Sequence, residues 1–407
     1  MAAKHDRIER GTSAYRRANL ALFVAGFVTF STLYTVQPLL PLLVEEFGVT
    51  PATASLALSM TTFALAWTLP VSGTLSDALG RRGLMGGALV VSALLSLGAL
   101  VAATLPELLL LRLLQGVALA GVPAVAMAYL NDEMSPRAIG AAMGLYIAGN
   151  ACGGMGGRVL TALLADHLPW RGAIALVGCL ALFLCVLFWA TIPPSRHFQR
   201  HPFQLRPLTR SLLSHLHEPG LLCLFALAFL LMGGFVTLYN YVTFHLLAPP
   251  YALSQSQVAL IFLAYAFGAF GSSLMGGLVE RIGRPRILYA ALATMAIGLL
   301  MTLLAPLAAL VSGIIIFTIG FFGAHAVASA WVAARAATGR AQASSLYLLG
   351  YYCGSSISGT GGGLIWSAWG WAGVVALIAG LLGVAGLIVL RLTTLPPPTA
   401  AATAVGQ

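Results

Sequence analysis

Long stretches of this chain carry no charge, and that absence restricts the fold more than any motif does. Only 8% of the 407 residues are Asp, Glu, Lys or Arg, against 59% hydrophobic. A water-facing surface needs roughly a quarter of its residues charged. The charge-poor runs recur at lengths near the ~20 residues that cross a bilayer as a helix. Twelve are delimited, with ends good to a few residues: 18–43, 52–75, 84–104, 108–131, 138–165, 171–192, 220–247, 255–279, 286–304, 307–334, 341–366 and 371–391. In hydrocarbon every backbone N–H and C=O needs an internal partner, and these runs lack the alternation of barrel strands. The expected fold class is therefore an all-α integral membrane protein with twelve transmembrane helices.

The opening "MAAKHDRIERGTSAYRR" is too long and polar for an ordinary signal peptide, so the first run is read as a retained span. All five cysteines lie within runs and none forms C-x-x-C. They are read as packing residues, with no metal site and no cofactor expected. The net charge of +10 raises nucleic acid as a partner, but its distribution argues against it. Five Lys/Arg precede the first run and thirteen more fall in segments on the same side, eighteen of the 21. The positive-inside rule then places both termini in the cytoplasm and the chain in the cell inner membrane, with membrane lipid as the contact of its basic face.

The chain also repeats itself. "GTLSDALGRRG" (73–83) returns as "GGLVERIGRPR" (276–286), sharing Gly73 with Gly276, Asp77 with Glu280, Gly80 with Gly283, and Arg81 with Arg284. "TLY" at 32–34 returns at 237–239, "LY…CG" at 145–153 returns at 346–354, and "WRG" at 170–172 corresponds to "WAG" at 371–373. The offset drifts only from 205 to 201. Two six-helix bundles of the same orientation are expected, 1–192 and 219–392, related by an axis along the membrane normal. A polar cytoplasmic linker, 193–218, joins them, and 393–407 is expected to be a disordered tail.

Six plus six helices with G-x-L-x-D-x-x-G-R-R between the second and third resembles the major facilitator superfamily (MFS). "RLLQG" (112–116) is similar to that family's R-x-x-Q-G motif, and "AYLND" with "RAIGAAMG" (128–144) to a third. Within the family, "MGLYIAGNACGGMGGR" (143–158) looks most like the YnfM-type bacterial permeases, described as exporters. The resemblance implies a secondary transporter, and proton-coupled export of a small solute is the expected function. Uptake by symport and a non-transporting sensor are the alternatives.

The opening cluster is then read as a cytoplasmic gate. Gly73 and Gly80 would let a neighbouring helix approach. Asp77 would face a helix N-terminus, helix 11 by the family pattern, and Arg81 would meet Asp132, with Arg82 beside it. Gly276, Glu280, Gly283 and Arg284 would form a weaker second copy, because Pro285 replaces the second Arg and "WVAAR" (331–335) has no acid matching Asp132.

Ionisable groups within spans are functional candidates by default. Arg112 and Arg158 sit at similar depth on the outer side; pairing with Glu45, Glu46, Glu107 or Asp166 is the competing reading. The resemblance implies that Arg112 and Gln115 face the cavity and serve proton transfer. His325 falls mid-span, and histidine is the residue type whose ordinary titration lies near neutral pH. Tyr34 and Gln37, with Tyr239 and Asn240, occupy matching positions in helices that line the central site in the family, and Asn150 could join them. The Gly-Pro…Gly-Gly motif of drug–proton antiporters is absent from the fifth run.

No Asp or Glu lies deep in any run, so a neutral or anionic solute fits better than a cation. No H-E-x-x-H, G-x-S-x-G with partner, or Walker A loop is present, so an enzyme or ATP-driven pump is not expected. The partners are a small-molecule substrate and protons, and a monomer is expected.

Overall fold

The computed structural model describes residues 7–200 and 205–396, and the expected disordered tail lies outside them from residue 397 onward. Among the described residues the secondary structure is helical, without strands. The first repeat comprises α1 (Ser13–Tyr34), α2 (Leu40–Phe47), α3 (Pro51–Leu79), α4 (Arg81–Gly98), α5 (Leu105–Leu119), α6 (Pro123–Glu133), α7 (Ile139–Ala165) and α8 (Trp170–Thr191). A short helix, α9 (Leu205–His215), follows. The second repeat comprises α10 (Pro219–Leu247), α11 (Gln255–Ala259), α12 (Ala266–Ile282), α13 (Arg284–Met301), α14 (Leu307–Arg335) and α15 (Arg340–Thr394).

Several breaks follow from single residues. Pro38 has no N–H to give, so α1 stops and the chain takes a 3₁₀ turn over Gln37–Leu39 before resuming as α2. Pro123 opens α6 after a break at 120–122 within the fourth expected span. At 55 residues α15 would be about 80 Å long, far beyond a ~30 Å hydrocarbon layer. It is two spans joined at Gly370, whose φ of 58° leaves the helical region.

Among the described residues, nine helices are long and apolar enough to cross a membrane by length and composition, with α15 counted once and α1–α2, α5–α6 and α11–α12 each taken together. Dividing α15 and adding the glycine-rich α4 and α7 makes up the twelve expected segments.

The described residues divide into two compact units, one of residues 7–49, 54–200 and 253–262, the other of 50–53, 205–252 and 263–396. Each is held by a seam of glycines. In the first, a Cβ on Gly149, Gly153 or Gly157 of α7 would run into the α1 backbone at Phe23, Phe27 and Ser31. In the second, a Cβ on Gly350 or Gly354 of α15 would meet the carbonyls of Phe225 and Phe229 on α10. Small residues at spacing four let backbones approach, which is how helices bind one another where lipid removes the hydrophobic drive.

Gly153→Leu should therefore lower the melting temperature of the detergent-solubilised protein, with overpacking costing about 1–3 kcal/mol. Gly144→Leu should leave it unchanged, since a Cβ at exposed Gly144 meets nothing within 4 Å. Equal melting of the two variants would remove the seam as a source of stability.

Candidate functional site

The basic motif of the first repeat is assembled at the α3–α4 turn. Gly80 sits there with a φ of 98°, a region where a side chain is strained, and Gly283 repeats it at 90° between α12 and α13. This turn places Arg81 one step into α4, where its Nη1 pairs with Asp77 Oδ1 at 2.6 Å and its Nε with Asp132 Oδ2 at 3.1 Å. Arg81 also donates to Ser76 Oγ and stacks 5.4 Å over the Phe198 ring. Asp132, the expected partner, and Asp77, expected at a helix N-terminus, thus meet one guanidinium.

The glycines and the second arginine behave otherwise than expected. A Cβ at Gly73 or Gly276 would meet nothing within 4 Å, and one at Gly80 only Phe198 at 3.9 Å. No close helix packing uses their small size here, and Gly80 and Gly283 are needed for backbone conformation instead. Arg82 turns away from the acids and donates to the Trp189 carbonyl.

In the second copy, no ion pair joins Glu280 and Arg284 among the described residues. The position matching Asp132 at the motif's own offset of 203 is Arg335. Arg335 pairs with Glu218, the N-cap of α10, at 2.8 Å and donates to the Pro396 carbonyl at 2.8 Å. Sequence reading missed this pair, although applying the repeat offset to Asp132 would have exposed the charge reversal. A second unanticipated contact is Glu133 with His197, 3.1 Å between Oε2 and Nδ1.

Arg112 and Gln115 do not open onto free space. Both are buried, at 3% and 1% exposure. Arg112 donates to the carbonyls of Thr32 (3.0 Å), Leu33 (2.5 Å) and Ala57 (2.9 Å), and to Gln115 Oε1. Gln115 Nε2 in turn donates to the Ser92 carbonyl at 2.9 Å and to Ser96 Oγ at 2.8 Å. The last four carbonyls of a helix lack intrahelical donors, and Thr32 and Leu33 are two of those at the end of α1. Arg112 caps a broken helix, and with Gln115 it ties α1, α3, α4 and α5 together.

Arg158 gathers the other candidates of the first unit. Its Nε donates to Gln37 Oε1 at 2.5 Å and its Nη1 to the Gly154 carbonyl at 2.6 Å. The guanidinium lies 3.8 Å over the Tyr34 ring and 5.6 Å over Phe262. Asn150 stands apart from this group, against Gly26 on α1.

In the second unit Tyr239 and Asn240 are buried, and Tyr239 Oη shares a hydrogen bond with Thr318 Oγ1 at 2.8 Å. His325 Nδ1 lies 3.0 Å from Tyr347 Oη and stacks with Phe321. Sequence reading placed His325 alone in its span; its phenol partner comes from α15.

Three of the four acids weighed as partners for the buried arginines, Glu46, Glu107 and Asp166, are engaged at helix ends. Glu46 pairs with Arg171 at 2.7 Å, Glu107 accepts from Ala103 and Thr104 N–H, and Asp166 accepts from Ser256 N–H at 2.9 Å. The hydroxyl and N–H of Ser256 hold the Asp166 carboxyl below its ordinary range. Burial pushes Glu218 up, but Arg335 and the Gly220 and Leu221 N–H groups outweigh that and hold it below its ordinary 4.5.

A helical membrane chain of two repeats, with a charged turn between its second and third spans and arginines buried deep within the spans, defines a transporter-type membrane protein. A family model described as Major Facilitator Superfamily matches residues 22–248 and 240–406, and the chain belongs to that family. It is 46% identical to the uncharacterized MFS-type transporter YybF of Bacillus subtilis over 93% of this chain and 94% of YybF. It is also 46% identical to the inner membrane transport protein YnfM of Escherichia coli, over 95% of this chain and 92% of YnfM. Among solved structures, the nucleoside transporter NupG superposes with a TM-score of 0.78 at 14% identity, covering 92% of this chain and 99% of NupG. The homologues are named as transporters and not as enzymes.

The Glu218–Arg335 pair gives a pH test. A carboxyl depressed in the folded state contributes stability above its unfolded value and loses it as pH falls. Glu218→Gln should melt lower than wild type at pH 7, and the gap should close as pH drops below the ordinary 4.5. A gap independent of pH would show that the charge carries no stability.

Proposed function

We propose that this protein is a proton-coupled exporter that moves a neutral or anionic small solute across the inner membrane by alternating access. The two repeats are its moving bodies and both termini are cytoplasmic, as the positive-inside distribution argues.

The depth of the charges carries the substrate reading. The ten acids among the described residues all lie within about a turn of a helix end or outside helices, whereas Arg112 and Arg158 lie about two turns inside α5 and α7. A cation drawn into such a span would forfeit its hydration with no carboxylate to replace it, a cost of several kcal/mol. An anion or a neutral hydrogen-bonding solute meets Arg158, Gln37 and Tyr34 instead. Arg112, engaged by three backbone carbonyls, supports the frame of that region; Arg158, equally buried but bonded to the Gln37 side chain and one carbonyl, is the proposed substrate contact when the site opens. His325, hydrogen-bonded to Tyr347, is the proposed proton carrier. The Arg81 bridge between Asp77 and Asp132 lies within the first repeat, and it is proposed to hold the charged α3–α4 turn in shape as part of the gate while the repeats move.

Proteoliposomes with an imposed pH gradient test this against sugars, amino acids, organic anions and hydrophobic drugs. Flux of a neutral or anionic solute should be saturable and collapse with a protonophore. Asp77→Asn or Arg81→Ala should remove most of it while the protein stays inserted. Arg158→Ala should raise the KM of an anionic solute. Robust transport of a quaternary ammonium dye would overturn the substrate class, sodium-driven flux the coupling, and wild-type flux from both motif variants the gate.

A further inference from the structure

Arg82, which leaves the acids of its own motif, points to a second site. In the first unit α4 and α8 leave between them an apolar groove of about 670 Å³ lined by Val90, Leu182, Cys185, Val186, Trp189 and Ala190. On α8 these residues recur at steps of three and four, so they form one stripe. The face is turned outward: Val186 and Phe183 are each 69% exposed.

One end of the groove is built around Trp189. Gly86 on α4 seats the indole, because a Cβ there would overlap the ring. One turn earlier on α4, Arg82 stacks 5.3 Å over Trp189 and donates from Nη2 to the Trp189 carbonyl at 3.3 Å. Arg17 of α1 reaches the same end, donating to the Ala190 carbonyl at 3.3 Å. The Arg82 Nε is buried with no acceptor among the described residues. Two cations thus stand at the mouth of an apolar trough, held by neutral carbonyls and an aromatic face, and no carboxylate lines the trough.

In a membrane-spanning chain, an outward apolar trough meets acyl chains, and its cationic mouth meets headgroups. We propose that this groove is a binding site for one anionic phospholipid, with an acyl chain along α8 and the phosphate against Arg17 and Arg82. The lipid comes from the leaflet at the end of the bundle carrying the basic motif, the cytoplasmic leaflet in the orientation proposed above. Trp189 lies at the level where interfacial aromatics anchor a span.

The test uses the full chain reconstituted in vesicles of phosphatidylethanolamine and phosphatidylglycerol, then extracted in mild detergent and weighed intact by native mass spectrometry. Wild type should retain phosphatidylglycerol above its share of the vesicle. Arg17→Ser, at an exposed position, should cut that preference about fivefold, and Arg17→Ser with Arg82→Ser about fivefold again. Val186→Trp, filling the trough from its exposed side, should abolish retention of either lipid without lowering the melting temperature. Retention in bulk proportion by wild type would overturn the site. So would unchanged retention by Val186→Trp, or a second copy of the chain held at this face in place of lipid. Lipid retention is read without transport, so a failure here and a failure of the exporter reading remain distinct.

Discussion

Hydrocarbon supplies no hydrogen-bond partners, and the rest of this structure depends on that constraint. Helices satisfy it along their length, so the difficult places are the breaks. The break at the end of α1 exposes carbonyls inside a buried bundle, and Arg112 answers them with charge-assisted bonds. A cation in a span would itself be costly, but here its donors are spent on backbone acceptors that would otherwise be orphaned. Each solves the other's problem.

The fold was largely legible because it rests on coarse quantities. Run length, the scarcity of charge and the drift of a repeat offset do not depend on side-chain detail, and the expected runs lie in helices. The pairing of Arg81 with Asp132 at the α3–α4 turn was legible too, since these are charges in a charge-poor chain with few alternatives to one another, whereas Asp77, expected at a helix N-terminus, pairs with the same arginine. Roles within the spans were less so. Whether Arg112 faces a cavity or a carbonyl depends on where α1 breaks, and Pro38 signals the break without saying which helix covers it. His325 could not be paired from its own span because Tyr347 comes from another helix. The Glu218–Arg335 bridge was hidden because Arg335 is the opposite charge to its repeat counterpart.

That reversal shows how the two repeats have diverged while keeping their backbone plan. The glycine seams are preserved in kind, α1 with α7 and α10 with α15. The electrostatics at the charged ends are not. One repeat closes its turn on an acid at the end of α6, and the other clasps the start of its own first helix from the end of α14. Packing tolerates only small residues at a seam, whereas an exposed end accepts any pair of opposite charges.

A proline-broken helix is commonly treated as a hinge. Here the carbonyls freed at the end of α1 are bolted instead, because parting α1 from α5 would break the two bonds that Arg112 gives Thr32 and Leu33, at about 1.5–3 kcal/mol each for a charged donor. The end of α1, α3 and α5 are therefore braced as one, and a movement of the end of α1 carries α5 with it. The 3₁₀ stretch Leu260–Tyr265 is a break of another kind, with no proline in it and with Phe262 under the Arg158 guanidinium, and a short 3₁₀ length inside a span is where the backbone can slip between helical windings.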